Sequence, residues 1–238
     1  SKLLNYFDIK KPLVSYFEHN KREKGEIIIN RILSGETCAL VTDAGMPAIS
    51  DPGEDLVALA HEKRVQVESV PGPTALTTAI ALSGMPSGRF CFEGFLSVNK
   101  QSRKEHLESL LHEKRTMIFY EAPHKLKNTL SDMLNAFGDR EIAIIKELTK
   151  IHEEVIRTTF AEAVKLYGDG GIKGEIVLII EGKKEDDVAS NLNNLSIKEH
   201  YNFYIEQGVN FKEALKMVAK DRKVAKSMIY QEIFGKNK

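Results

Sequence analysis

The stretch Thr42-Asp43-Ala44-Gly45-Met46-Pro47-Ala48-Ile49-Ser50-Asp51-Pro52-Gly53 follows a short apolar run, Cys38–Val41, that reads as a buried strand. A carboxylate, glycines and prolines thus collect where a strand ends. In open α/β sheets, ligands bind in the crevice beyond the carboxyl ends of the strands. Gly45 allows positive φ and close approach of a ligand, while Pro47 and Pro52 stiffen the loop. Asp43 offers an acceptor to a hydroxyl or a cation; taken alone, the stretch reads equally as a plain surface turn.

A second strand, Val65–Val70, runs into Pro71-Gly72-Pro73-Thr74-Ala75, and a small-residue helix follows through Leu82. Free N–H groups at that helix start can hold a carboxylate or another anion. The chain contains no G-x-G-x-x-G after a strand and no G-x-x-x-x-G-K-[ST], which excludes a Rossmann dinucleotide site and a P-loop.

Working outward, Leu13–Phe17 reads as a strand ending in Glu18-His19-Asn20, with helices over Glu26–Leu33, Glu54–Glu62 and Pro73–Leu82. Alternating strands and helices predict a largely parallel sheet covered on both faces. The turn cluster Gly84–Gly88 marks a domain boundary. Beyond it, strands are expected at Phe90–Phe95, Thr116–Tyr120, Glu141–Lys146, Glu154–Thr159 and Glu175–Ile180, in a mixed sheet. A capping box, Ser102–Glu105, opens a helix carrying Leu107, Leu110 and Leu111, and further helices cover Lys125–Phe137 and Ala161–Tyr167. Polar Gly182–Asn194 reads as a linker. A second capping box, Ser196–Glu199, opens helical stretches near 197–207, 211–220 and 224–234, either a helix-turn-helix-like unit or a helical cap. The domain reading is 1–86 (α/β), 87–184 (α/β) and 195–238 (helical and basic).

The 238 residues, 42% apolar and 29% charged, suit an ordinary soluble protein. No apolar run approaches membrane-spanning length and the start lacks the form of a secretory signal, so the expected setting is the cytoplasm. Cys38 and Cys91 lie in strand-like segments and are expected as buried thiols; no Cys/His spacing suggests a metal. Lys+Arg and Asp+Glu balance at 34 each, but residues 195–238 hold nine basic against five acidic side chains. Such a patch can pair with phosphates or form a solvated helical face. Lys212, Lys216 and Lys220 recur at intervals of four on one helix face, and Lys223 extends it.

Six motifs occur in order along the chain: Thr42–Gly53, Pro71–Ala75, Arg89–Leu96, Phe119-Tyr120-Glu121-Ala122-Pro123-His124, Glu147-Leu148-Thr149-Lys150 and Lys173-Gly174-Glu175. Together they resemble the ribosomal RNA small-subunit methyltransferase I family of the tetrapyrrole methylase superfamily, from about Leu3 to the C-terminus. The resemblance implies two α/β domains with a cofactor cleft between them and a small helical domain. It also implies methyl transfer from S-adenosylmethionine to the 2′-hydroxyl of a cytidine in the 16S rRNA decoding centre, by a homodimer. Members of that family begin with a further strand, a Gly-Asn loop and a helix, so an incomplete first domain is expected here.

By resemblance, Asp43, Met46, Thr74 and Ala75 line the cofactor, and Tyr120, Leu148 and Gly174 close over it. Polar candidates on the substrate side are His19, Asn20 and Lys173, with Lys216, Lys220 and Lys223 for the RNA backbone. Glu121, Lys146, Glu147 and Lys150 sit at strand ends as candidate catalytic groups; opposite charges so crowded also read as an ion-pair network. Three alternatives remain open: a tetrapyrrole-type methylase, a diphthine-type methylase, and a non-catalytic RNA-binding module.

Overall fold

The computed structural model describes residues 2–168, 173–184, 192 and 195–235. The chain divides into two compact units, residues 1–182 and 183–238. In the first, helices α1 (Lys2–Tyr6), α2 (Lys21–Leu33), α3 (Glu54–Glu62) and α4 (Ala75–Ser83) precede the strands. Strands β1 (Phe90–Phe95), β2 (Thr116–Glu121), β3 (Glu141–Lys146), β4 (Glu154–Thr159) and β5 (Ile176–Ile180) then alternate with α5 (Lys100–Ser109), α6 (Leu126–Phe137) and α7 (Phe160–Tyr167).

The five strands form one sheet in the order β1-β2-β5-β3-β4. Only β1 and β2 are parallel; β5 runs antiparallel to both β2 and β3, and β4 antiparallel to β3. The expected mixed sheet is therefore present. Strand β5 is apolar at every position, and β3 carries Ile142, Ala143, Ile144 and Ile145 without a break, because both strands are covered on both faces. On one face, Leu126, Leu130 and Met133 of α6 pack with Phe160 against Met117, Phe119, Ile144 and Leu178. On the other, Leu76, Ala79 and Ile80 of α4 pack against Ile118, Ile145, Val177 and Ile179. A fully buried Leu, Ile, Met or Phe side chain among them contributes about 1.5–3 kcal/mol. Helix α4, placed by sequence ahead of the turn cluster at 84–88, is thus a layer of the sheet's own core.

Three expected strands differ. Leu13–Phe17, Cys38–Val41 and Val65–Val70 join no ladder among the described residues. Each instead lays one side chain, Tyr16, Leu40 or Val65, on the pair formed by α2 and α3, beside Ile28, Ile29 and Leu56. Alternating apolar residues favour an extended chain, but a strand needs a neighbour about 4.8 Å away, and here none is supplied. Consequently Cys38 is exposed rather than buried, as are Val41 and Val70. Cys91 is half-buried, and that burial pushes its thiol up to about 12. The first capping box is also displaced. Helix α5 begins three residues early because Asn99 accepts from Gln101 N at 2.9 Å and Ser102 N at 3.1 Å.

The second unit holds α8 (Ile197–Glu206), α9 (Phe211–Asp221) and α10 (Lys226–Phe234). Ser196 and Glu199 form the expected capping box. Leu215, Val218 and Ile229 form its core with Tyr201 and Tyr204. Most of the expected linker, 182–194, lies outside the described residues. A polar knot absent from the sequence reading ties the unit together around His200, which is fully buried. Arg222 Nε donates to His200 Nδ1 at 3.1 Å, so the ring proton sits on Nε2, 3.2 Å from Asp221 Oδ2. Tyr204 donates to the same carboxylate oxygen at 2.6 Å, and Arg222 also reaches the carbonyls of Leu192 and Leu195.

Burial lowers the His200 pKa below its ordinary value. The folded unit therefore binds fewer protons than the unfolded chain as pH falls past about 6.5, and stability drops with pH in that window. Above it the contribution is complete. The second unit should show a falling unfolding midpoint between about pH 7 and pH 5, followed by circular dichroism, and the slope should shrink in His200→Gln. A slope unchanged by that substitution would assign the acid sensitivity elsewhere.

Candidate active site

The strand register gathers the site at one edge of the sheet. Tyr120 and Ile145 both pair with Val177, and Glu121 and Lys146 both pair with Ile176. Phe95 completes the row beside Tyr120. A bulge at Glu93 carries β1 to this edge, with Gly94 at φ +64°. A Cβ at Gly94 would lie 3.6 Å from Ser50 Oγ, so the 42–53 loop passes directly over the bulge.

That loop also touches the 71–75 turn. A Cβ on Gly45 would come 3.6 Å from the Pro73 carbonyl, and one on Gly72 would come 3.6 Å from Met46 Sδ. Thr42 Oγ1 donates to Asp51 at 3.0 Å and closes the loop, while Ala48 and Ser50 hold left-handed φ of 66° and 60°. Non-glycine residues in that region store strain of order 1–3 kcal/mol each and cluster at ligand clamps. Asp43 is exposed and Met46 half-buried.

Thr74 is the N-cap of α4: its Oγ1 accepts from Thr77 N at 3.4 Å, and its carbonyl accepts from Thr78 N at 3.2 Å. Leu76 N donates to the Tyr120 hydroxyl at 3.0 Å. The amide of exposed Ala75 has no intramolecular acceptor among the described residues. The Tyr120 ring stands edge-on to Phe92 and Phe95, with centroids 4.9 and 5.5 Å away, and burial raises its pKa. Leu148 packs on the same core as Tyr120 and Leu76.

The charged candidates form a frame. Glu147 Oε1 accepts from Lys150 Nζ at 3.0 Å and from Glu175 N at 2.9 Å, and Glu147 N donates to the Glu175 carbonyl at 3.0 Å. Lys150 also reaches Glu175 at 3.3 Å, Lys146 pairs with Glu154, and Glu153 accepts from Thr149 N at 2.6 Å. The Lys150 hydrogen bond holds the Glu147 carboxyl below the usual range, which makes it a weak proton acceptor. Glu147 and Thr149 themselves take left-handed φ of 50° and 65°.

Glu121 is not brought to the loops. Successive strand residues face opposite sides, so Glu121 follows Met117 and Phe119 toward α6, where Oε2 accepts from Thr129 at 2.5 Å and Oε1 from Ala122 N at 2.7 Å. His19 is exposed beside Phe17, and Asn20 folds its own turn through Phe17 N and the Ser15 carbonyl. Lys173 is exposed next to Gly174. Lys216, Lys220 and Lys223 are exposed on the second unit, where Lys216 pairs with Glu213 at 3.1 Å. Ser50, Phe92 and Phe95 were not singled out by sequence; only the aromatic spacing of β1 hinted at the last two. Among the described residues, no cluster of His, Cys, Asp and Glu could hold a metal.

These elements define a class: an α/β protein in which two Gly/Pro-rich turns and a helix start gather at the strand ends of a mixed sheet. Cobalt precorrin-4 methyltransferase shares this architecture, with a TM-score of 0.52 and 20% identity over 74% of this chain and 78% of that one. So does uroporphyrin-III C-methyltransferase from Thermus thermophilus, solved with S-adenosyl homocysteine (TM-score 0.52, 16% identity, 74% and 80% covered). The model of the tetrapyrrole (corrin/porphyrin) methylases matches residues 2–164. The chain is 48% identical over 231 residues to ribosomal RNA small subunit methyltransferase I of Halalkalibacterium halodurans, covering 96% of this chain and 80% of that protein. Its Bacillus subtilis namesake is 44% identical over 232 residues, with 96% and 80% covered. The chain belongs to the tetrapyrrole methylase family and, within it, to the ribosomal RNA small subunit methyltransferase I family.

The frame makes a testable demand on Gly174. Its φ of +91° suits glycine, and a Cβ there would collide with the Glu147 carboxylate. Gly174→Ala should cost roughly 1–3 kcal/mol in chemical denaturation. A loss below about 0.5 kcal/mol would show that the Glu147 clamp yields freely.

Proposed function

We propose that the chain is an S-adenosylmethionine-dependent methyltransferase that modifies the 2′-hydroxyl of a cytidine in 16S rRNA, in the decoding centre of the small ribosomal subunit. One observation carries the reading: the Halalkalibacterium halodurans and Bacillus subtilis relatives named ribosomal RNA small subunit methyltransferase I match 96% of the chain and so extend into the helical second unit. The cobalt precorrin-4 methyltransferase match covers 74%. This favours an RNA substrate over a tetrapyrrole or a diphthine-type one.

The residues at these strand ends suit the cofactor. The Ala75 amide and Thr74 suit its carboxylate, Asp43 is an acceptor for its hydroxyls or ammonium group, and Met46, Leu148 and the aromatic wall suit its base. S-adenosylmethionine supplies an activated methyl group, so the chain's residues have chiefly to bind, orient and exclude water. The Glu147–Lys150–Glu175 frame serves this by rigidity rather than by taking a proton. Lys216, Lys220 and Lys223 supply phosphate contacts. A homodimeric state and a cytoplasmic setting belong to the same reading, and among the described residues no helix is long and apolar enough to cross a membrane.

Incubation with small subunits or 16S rRNA and methyl-labelled cofactor should place label in an alkali-resistant dinucleotide containing cytidine, because a 2′-O-methyl blocks cleavage of the adjoining linkage. Label in an alkali-labile nucleotide would place the methyl on a base and reject the ribose assignment. Asp43→Ala should weaken cofactor binding by calorimetry while the unfolding midpoint stays nearly constant. The reverse pattern would make Asp43 a turn residue. Changing Lys216, Lys220 and Lys223 together to Gln should flatten the salt dependence of RNA binding by up to about three units of slope. An unchanged slope would move substrate recognition to the crevice.

A further inference from the structure

We infer that Tyr120 is the positioning residue of this site: by accepting the Leu76 amide, its hydroxyl fixes the start of α4 over the strand edge and so sets where Thr74 and the Ala75 amide meet the cofactor's anionic end. The inference rests on the cofactor reading above.

A helix start leaves its first N–H groups without intrahelical partners. Here two of them are satisfied locally, Thr77 N by the Thr74 hydroxyl and Thr78 N by the Thr74 carbonyl. Bonds of that kind shape the first turn but place it nowhere. The Leu76 amide is different: its acceptor lies 44 positions along the chain, on another element of the fold. That acceptor is itself held. The Tyr120 backbone pairs with Phe95 on β1 and with Val177 on β5, and its ring is edge-on to Phe92 and Phe95. The oxygen is therefore a fixed point of the sheet.

Leu76 is buried, so water cannot readily replace a lost phenol as acceptor for its amide. Burial also raises the Tyr120 pKa, which keeps the phenol neutral across the physiological range. The apolar contacts of α4, through Leu76, Ala79 and Ile80, hold the helix against the sheet but are non-directional. They leave its axial position to be set by a directional bond, and Leu76–Tyr120 is that bond at the end facing the crevice.

Tyr120→Phe tests the assignment, since the ring and its aromatic contacts survive while the acceptor is lost. Three measurements are made on the full chain: affinity for S-adenosylmethionine by calorimetry, exchange of the Leu76 amide by NMR, and the KM and kcat of RNA methylation. The expected result is roughly tenfold weaker cofactor binding, a higher cofactor KM and faster Leu76 exchange. Faster exchange with unchanged affinity would make the bond merely structural and overturn the inference. Weaker affinity with unchanged exchange would make Tyr120 a direct ligand and also overturn it. Failure of the unaltered chain to bind the cofactor would instead overturn the cofactor reading, and this inference with it.

Discussion

Strand β5 sits between β2 and β3 and runs antiparallel to both, and this single placement governs the first unit. It aligns the end of β2 with the end of β3, so that Tyr120 and Ile145 become neighbours of one residue, Val177. The five consecutive apolar side chains of β5 make the arrangement hold, because a strand with no polar face must be covered on both sides. Helices α6 and α7 cover one side and α4 the other. The helix start that faces the crevice is thus placed by the same burial that builds the core.

The second half of the first unit was legible because its signals are local. β3 and β4 fall on the residues expected for them, and β5 begins one residue later than expected, since unbroken or alternating β-branched runs between turns leave little choice. The first 86 residues were less legible for a physical reason. An alternating run specifies an extended backbone, but whether it becomes a strand depends on a partner that the run does not encode. Helix α4 also escaped the domain reading: it was assigned with residues 1–86, ahead of the turn cluster, yet Ala79 is fully buried against the sheet. The family-level resemblance was readable because six motifs had to agree in order, whereas no single one fixed a fold.

At the site, position was readable and partnership was not. Sequence placed carboxylates at strand ends but could not say what each one holds. Glu121 and Glu147 both end a strand, yet one turns inward to Thr129 and the other clamps Lys150 and the Glu175 amide. Strand parity carried the missing information for Glu121, since it alternates with Met117 and Phe119 on the α6 face. For Glu147 the pairing with Lys150, three residues on, is local, whereas its bond from the Glu175 amide comes from the chain before β5. Likewise His200 read as one helical residue among others, although Arg222 and Asp221 fix its tautomer from another helix.

Methyl transfer explains why such carboxylates can be structural without loss of function. When the reactive group arrives already activated, placing the two reactants supplies much of the rate, and an added base typically contributes 10²–10⁴-fold. The left-handed residues Ala48, Ser50, Glu147 and Thr149 stand in two loops of the same unit, and each costs energy that surrounding contacts must offset. In one loop the offset is the Thr42–Asp51 bond; in the other it is the Glu147 clamp and the Thr149–Glu153 bond. The charges that first suggest acid–base chemistry are engaged in ion pairs and hydrogen bonds that fasten the loop after β3 to the chain before β5.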